Sequence, residues 1–247
     1  RECSIQRRYQ KIIEESPSPT IDDAVRKKMG EAAVRIGKET KYNNAGTIEF
    51  MVDKNLNFYF LEMNTRIQVE HPITEEITGV DLVKKQIEIA SGMPIGLKQE
   101  DIKIHGFAME CRINAEDPKN QFMPNSGRVT AYYSPGGIGV RIDGAVYRDY
   151  VIPGCYDSMI VKLIINGGTW EEVLARMDRA LEEFVIRGVK TTIPYLRNIV
   201  NEEDFKAGNF DTGYIDRKPE LMKYYEYEEP TDIVAAVSAA IAAYHGL

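Results

Sequence analysis

The 247-residue chain is short of cysteine, of histidine and of long apolar runs, and each shortage closes a class of function. Cys3, Cys111 and Cys155 are odd in number and form no CxxC pair, which excludes a disulfide framework and a thiolate zinc site. A reducing, cytoplasmic setting is expected. His105 and His245 have no ligand set near them, so a histidine metal site is not supported. No apolar run reaches the roughly 20 residues that span a bilayer, and no signal-peptide pattern opens the sequence. Positive charge is also scarce: 31 Lys and Arg face 38 Asp and Glu, and the net −7 argues against general nucleic-acid binding. The one basic concentration is Arg1, Arg7, Arg8 and Lys11. What the chain does have, 43% apolar and 28% charged residues, suffices for a substantial core in one large or two small domains.

Glu49, Glu62 and Asn64 are the most informative residues. Segments 46–52 (GTIEFMV) and 58–63 (FYFLEM) are β-branched, aromatic and apolar, and Asp53-Lys54-Asn55-Leu56-Asn57 between them reads as a hairpin turn. A turn centred near Asn55 and Leu56 sets Glu49 opposite Glu62, with Cβ atoms about 5 Å apart on one face. Asn64, two residues on, shares that face. Two carboxylates this close repel unless a cation lies between them, and hard oxygen ligands suit magnesium bridging ATP phosphates. The alternative is an exposed cross-strand pair neutralised by lysines such as Lys54. The connection from Asn64 to Pro72 then packs Arg66, Gln68, Glu70 and His71 into nine residues, dense for a surface loop. His71 reads as a loop-stabilising hydrogen-bond partner.

Elsewhere the pattern predicts a strand over the first dozen residues. A helix to about Lys38 follows, opened by Thr20 and Asp23 and carrying Val25, Met29, Ala32 and Ile36 on its buried face. A helix over 80–91 is predicted to bury Val80, Val83, Ile87 and Ala90 as core. Gly92 to Gly96 breaks it, and the polar segment to Asp101 marks a boundary. Strands follow over 105–113, 127–133 and 138–151, and in YDSMIVKLIING. Thr169 and Glu172 then cap a helix to about Phe184, and a shorter helix covers 193–201. Gly136, Gly137 and Gly139 read as a turn, since a phosphate loop needs a helix after it and strand-like residues follow. Tyr224 to Pro230 forms an acidic aromatic linker, after which Thr231 caps an alanine-rich helix, Asp232 to Tyr244.

The stretch GTIEF…FLEMNTRIQVEHPITEEITG closely resembles the biotin carboxylase branch of the ATP-grasp enzymes. QRRYQK (6–11), ECRINAEDP (110–118), SPGGIGVR (134–141) and YDSMIVKL (156–163) resemble further motifs of that family, in order, over about 220 residues. The resemblance implies an α+β fold: the C-terminal half of an ATP-grasp domain, an antiparallel sheet with helices, over 1–100, then the biotin carboxylase C-terminal α+β domain over 101–225. Residues 226–247 would form a linker and partner-docking helix, similar to extensions of the biotin carboxylase subunit of two-subunit pyruvate carboxylases. The chain opens inside a motif at Arg1-Glu2-Cys3-Ser4-Ile5-Gln6. It is therefore expected to be a C-terminal piece, inactive alone, without the phosphate-covering flap and two upstream lysines.

The activity implied is carboxylation of biotin on a carrier protein, with ATP and bicarbonate, through carboxyphosphate. Implied cofactors are ATP, magnesium or manganese, bicarbonate and carrier-bound biotin. Glu49, Glu62 and Asn64 would hold the metal, and Lys11, Glu49, Glu62 and Arg112 would contact the cofactors. Lys11, Arg66, Gln68, Val69 through its N–H, and Glu70 would bind bicarbonate, with Glu70 as general base. Arg112 with Arg66 would stabilise the biotin enolate oxygen, so Arg66, Glu70 and Arg112 are the expected catalytic residues. Tyr9 departs from the pattern, standing where many relatives carry a nucleotide-contacting histidine. Expected partners are a biotin carboxyl carrier protein or biotinylated carboxyltransferase subunit, and a second copy through Ile138 and Arg141. A different ATP-grasp ligase, or a non-catalytic dimerisation and partner-binding piece, are the alternatives.

Overall fold

The computed structural model describes residues 1–224 and 230–245, an α+β arrangement organised by one four-stranded antiparallel sheet. Its strands lie in the order Val140–Gly144, Met159–Gly167, Phe107–Asn114 and Ile13–Ser16. Side chains alternate across a strand, so Phe107–Asn114 sends Met109, Cys111 and Ile113 to one face and Ala108, Glu110 and Arg112 to the other. The first face meets Ile13, Leu163 and Ile165 and is covered by helices Trp170–Glu183 and Ile193–Asn201 through Val173, Met177, Leu181 and Leu196, forming the main core. Each such fully buried aliphatic side chain contributes about 1.5–3 kcal/mol. The second face carries only a small apolar patch, Ala108 and Ile164 against Ile73 and Ile77 of helix His71–Thr78. Its other positions are charged or polar, among them Glu14, Glu110, Arg112, Lys162, Asn114 and Asn166. That charged face positions the candidate site.

Thr169 caps the Trp170–Glu183 helix as expected, its hydroxyl accepting from the Glu172 N–H at 3.2 Å. The helix Asp23–Glu39 starts later than predicted. Asp22 is its cap, accepting from the Val25 N–H at 2.7 Å, because a carboxylate there already meets an orphan amide of the first turn. The opening strand is three short pieces, Gln6–Arg7, Gln10–Lys11 and Ile13–Ser16, since Arg8 and Tyr9 take positive φ in the turn between the first two.

Three further expectations are corrected. Helix His71–Thr78 was not predicted and begins inside the stretch read as the Asn64–Pro72 loop, with Pro72 in the first turn, where its missing N–H costs no hydrogen bond. The helix predicted over 80–91 is Leu82–Ala90, and its stripe is not core: Val83 and Ile87 are 46% and 63% exposed. Periodicity aligned those residues but supplied no partner. The strands 127–133 and 138–151 are each broken, Gly127–Arg128 pairing with Val151–Ile152, and Ala131–Tyr133 pairing with Val185–Arg187, a strand the pattern did not reveal. After Gly139, at φ 75°, comes the strand Val140–Gly144, and a Cβ at Gly139 would lie 2.4 Å from the Asn166 carbonyl oxygen. Helix Pro230–His245 is present. The acidic linker and the Thr231 cap lie outside the residues whose side chains are described. Among the described residues, no helix is long and apolar enough to cross a membrane.

Candidate active site

The hairpin Thr47–Val52 and Phe58–Asn64 places Glu49 directly opposite Glu62. Asp53 closes the turn, its Oδ1 accepting from the Asn55 and Asn57 N–H groups at 2.8 and 2.9 Å. The register shifts beside Glu49, pairing Phe50 with Phe60 and Glu49 with Glu62, so Leu61 is the extra residue of a bulge. As directly opposed residues, the two carboxylates leave the same face of the hairpin. Asn64 Nδ2 bridges them, donating to Glu49 Oε1 at 3.2 Å and Glu62 Oε1 at 2.9 Å. Two facing carboxylates joined by an amide whose oxygen is also a hard ligand are a donor set that fits a magnesium ion. Among the described residues, no group of three or more His, Cys, Asp or Glu side chains is placed to hold a metal without such help.

Glu70 lies at the centre of the remaining residues, 2% exposed, where the loop after the hairpin enters helix His71–Thr78. As N-cap it makes no side-chain capping bond, because its carboxylate turns to two cations instead. Lys11 Nζ is 2.7 Å from Glu70 Oε1 and 2.9 Å from Glu49 Oε1, so one ammonium joins the loop to the carboxylate pair. Arg112 Nη2 is 3.1 Å from Glu70 Oε2, while its Nε donates to Glu14 at 2.6 Å. Burial alone would raise the Glu70 carboxyl, but the Lys11 hydrogen bond and charge, aided by Arg112, hold it below the usual range. It is ionised at neutral pH.

Gln68 is buried and donates to Glu49 Oε1 while accepting from Arg1 Nη1 at 2.9 Å. Among the described residues no acceptor takes the Val69 N–H. Arg66 stands apart, exposed, its guanidinium bonding, among the described residues, only the Ile67 carbonyl at 3.1 Å. The structure thus gathers Lys11, Glu49, Glu62, Asn64, Gln68, Val69, Glu70 and Arg112 but does not join Arg66 to Arg112. Tyr9 is 97% exposed. His71 Nδ1 lies 2.8 Å from the Gln68 carbonyl, the loop bond expected of it. Arg141 is bound within its own chain, to Glu75 at 2.8 Å, Asp143 at 2.9 Å and Glu76 at 3.3 Å, and Ile138 is 85% exposed. The cluster also includes Glu14 and Lys162, neither singled out by the sequence. For Lys162 the available signal was one charge flanked by apolar residues in MIVKL; Glu14, followed by Glu15 in IEES, gave no such signal.

Comparison with known proteins adds two family matches: "Carbamoyl-phosphate synthase L chain, ATP binding domain" over residues 1–98 and "Biotin carboxylase C-terminal domain" over 110–217. Biotin carboxylase 1 of Bacillus subtilis is 55% identical over 217 residues, covering 87% of this chain and 48% of that protein. A pyruvate carboxylase subunit of Methanothermobacter thermautotrophicus is 52% identical over 260 residues, covering 99% of this chain and 53% of that protein. Among solved structures, the biotin carboxylase domain dimer of Hydrogenobacter thermophilus 2-oxoglutarate carboxylase superposes with a TM-score of 0.89 at 50% identity, covering 91% of this chain and 49% of that one. That structure is a complex with MgADP, ADP and bicarbonate. The chain spans about half the length of the curated relatives it matches.

Proposed function

Because this chain belongs to the biotin carboxylase family, we propose that it supplies the metal and bicarbonate half of a site that carboxylates carrier-bound biotin with ATP. The observation that carries the reading is Glu70, an ionised and buried carboxylate held between Lys11 and Arg112 and tied through Lys11 to Glu49. A general base for bicarbonate must be ionised yet shielded from water, and this environment meets both needs. Glu70 takes the bicarbonate proton. The Val69 N–H and the remaining Arg66 guanidinium N–H groups are donors for the anion's oxygens, with Gln68 beside them.

Glu49, Glu62 and Asn64 would hold magnesium, which when bound would supply positive charge to neutralise the ATP phosphates. Lys11, between that group and Glu70, keeps positive charge where the phosphoryl group and bicarbonate meet. Arg112 commits Nε and Nη2 to Glu14 and Glu70, leaving Nη1 to face the oxygen of a biotin enolate. The same reading divides the chain at residues 100 and 101. It also includes a homodimer through Ile138 and Arg141, a biotin carrier or carboxyltransferase partner docked on the 226–247 tail, and a cytoplasmic setting consistent with three free thiols.

Glu70→Gln in the intact protein tests it. Bicarbonate-dependent ATP cleavage should fall at least about a hundredfold while nucleotide affinity is kept, because the change removes a base and no phosphate contact. Wild-type carboxylation of free biotin by that variant would sink the assignment.

A further inference from the structure

Two peptide units frame Val69, and each is anchored at its carbonyl. The Gln68 carbonyl accepts from the His71 N–H at 3.2 Å and lies 2.8 Å from His71 Nδ1. The Val69 carbonyl accepts from the Lys162 ammonium at 3.0 Å. Carbonyl and N–H point opposite ways in a trans peptide. The first anchor therefore fixes the direction of the Val69 N–H, and the second fixes the backbone from which Glu70 extends.

Lys162 reaches this loop from the charged face of the sheet, across 93 residues of sequence. Register makes it the neighbour of Arg112 on one side and Asp143 on the other. Arg112 holds the Glu70 carboxylate and Lys162 the peptide just before it, so adjacent strands grip adjacent residues of one loop. Asp143, 3.5 Å from Lys162 and 2.9 Å from Arg141, is the counter-ion that keeps the ammonium in place. The Lys162 side chain is only 13% exposed. A lysine that deep is costly unless paired, and its two partners here are the counter-ion and the loop carbonyl.

We infer that Lys162 is a positioning residue for the bicarbonate site, holding the Val69 carbonyl so that the Val69 N–H and the Glu70 carboxylate converge on one small anion. The inference rests on the bicarbonate reading above. Lys162 touches no reacting atom; it acts through the peptide. A misplacement of about 1 Å in such a group is worth roughly a hundredfold in rate.

Lys162→Met keeps the stem and removes the ammonium, Lys162→Arg restores a cation, and Lys162→Gln provides a second neutral variant should the methionine fail to fold. In the intact protein, either neutral variant should raise the bicarbonate KM at least about tenfold while the MgATP KM stays within about twofold. Lys162→Arg should recover most of the loss. Backbone hydrogen exchange over residues 67–71, which needs no turnover, should accelerate in the neutral variants and return in Lys162→Arg. An unchanged bicarbonate KM in an active neutral variant, or unchanged exchange, overturns the inference. Accelerated exchange in a protein whose wild type ignores bicarbonate upholds the positioning and defeats the functional reading instead.

Discussion

Glu110→Gln should flatten the pH dependence of folding stability. Glu110 and Glu14 are register partners on adjacent strands, and both are fully buried. Arg112 bonds Glu14, whereas neither Glu110 oxygen finds a partner among the described residues. Burial first, and then the Glu14 charge, push the Glu110 carboxyl up to about 9, against the weaker pull of Lys162 and Arg112. Unfolded, the same group ionises near its ordinary value of 4.5. Between those values the folded chain binds one proton more than the unfolded chain, so this stabilisation is complete below the lower value and is lost as pH rises toward the upper one. The slope is at most about 1.4 kcal/mol per pH unit, or roughly 2–3 kcal/mol between about pH 5.5 and 7.5. Glutamine has no proton to lose. Urea unfolding of wild type and variant at three pH values across that interval gives the difference directly. Glu14, pushed up to about 7 by burial, and Glu15, also raised by burial, titrate in both proteins beside an uncharged side chain at 110 and cancel. The variant should gain on the wild type steadily as pH rises. Parallel curves would refute the reasoning, because they would require Glu110 to be ionised and paired in the folded chain.

Glu62→Gln in the intact protein should lower magnesium-dependent ATP turnover more than about tenfold with melting unchanged, since one ligand is lost from an exposed strand position; turnover at limiting magnesium checks it. Thr169→Ala should cost about 1 kcal/mol, because the Glu172 N–H loses its acceptor at the start of the helix that covers the main core. Denaturant unfolding reads that loss, and Thr169→Ser should retain most of the stability.

Local pattern carried the elements whose causes are local. The Glu49 and Glu62 facing was legible because strand alternation and a polar turn set it within fifteen residues, and the Thr169 cap because Ser, Thr and Asp at helix starts act over three residues. The Leu61 bulge was not legible: a turn centre counted from both ends gives one register, and only the pairing shows that the register shifts midway. The Leu82–Ala90 stripe failed for a related reason, since periodicity names an apolar face and says nothing of what lies against it. Motif resemblance reached further than pattern, placing Lys11, Glu70 and Arg112 in one site although 101 residues separate the first and last.

The charged face of the central sheet explains why Glu14 and Lys162 escaped both routes. In Phe107–Asn114, apolar residues at 109, 111 and 113 alternate with Glu110 and Arg112, and Met159–Gly167 repeats the alternation around Lys162, whereas in Ile13–Ser16 Glu14 is followed by a second buried carboxyl, Glu15, on the Met109 side. Read singly, the two alternating strands look like ordinary half-buried strands with one face toward water. Helix His71–Thr78 covers that face, so its charges are enclosed: Glu14 and Glu70 pair with Arg112, Lys162 pairs with Asp143, and Glu110 stays protonated at neutral pH. Glu14 can orient Arg112 only because a strand 98 residues away lies beside it, and Lys162 can hold Val69 only because the helix following Glu70 docks on the same surface. One sheet therefore has two separable tasks, with the apolar face supplying the burial that stabilises the chain and the charged face spending part of that stability to fix the loop around Glu70. Substitutions on the apolar face are expected to act on folding, and those on the charged face on where the loop points.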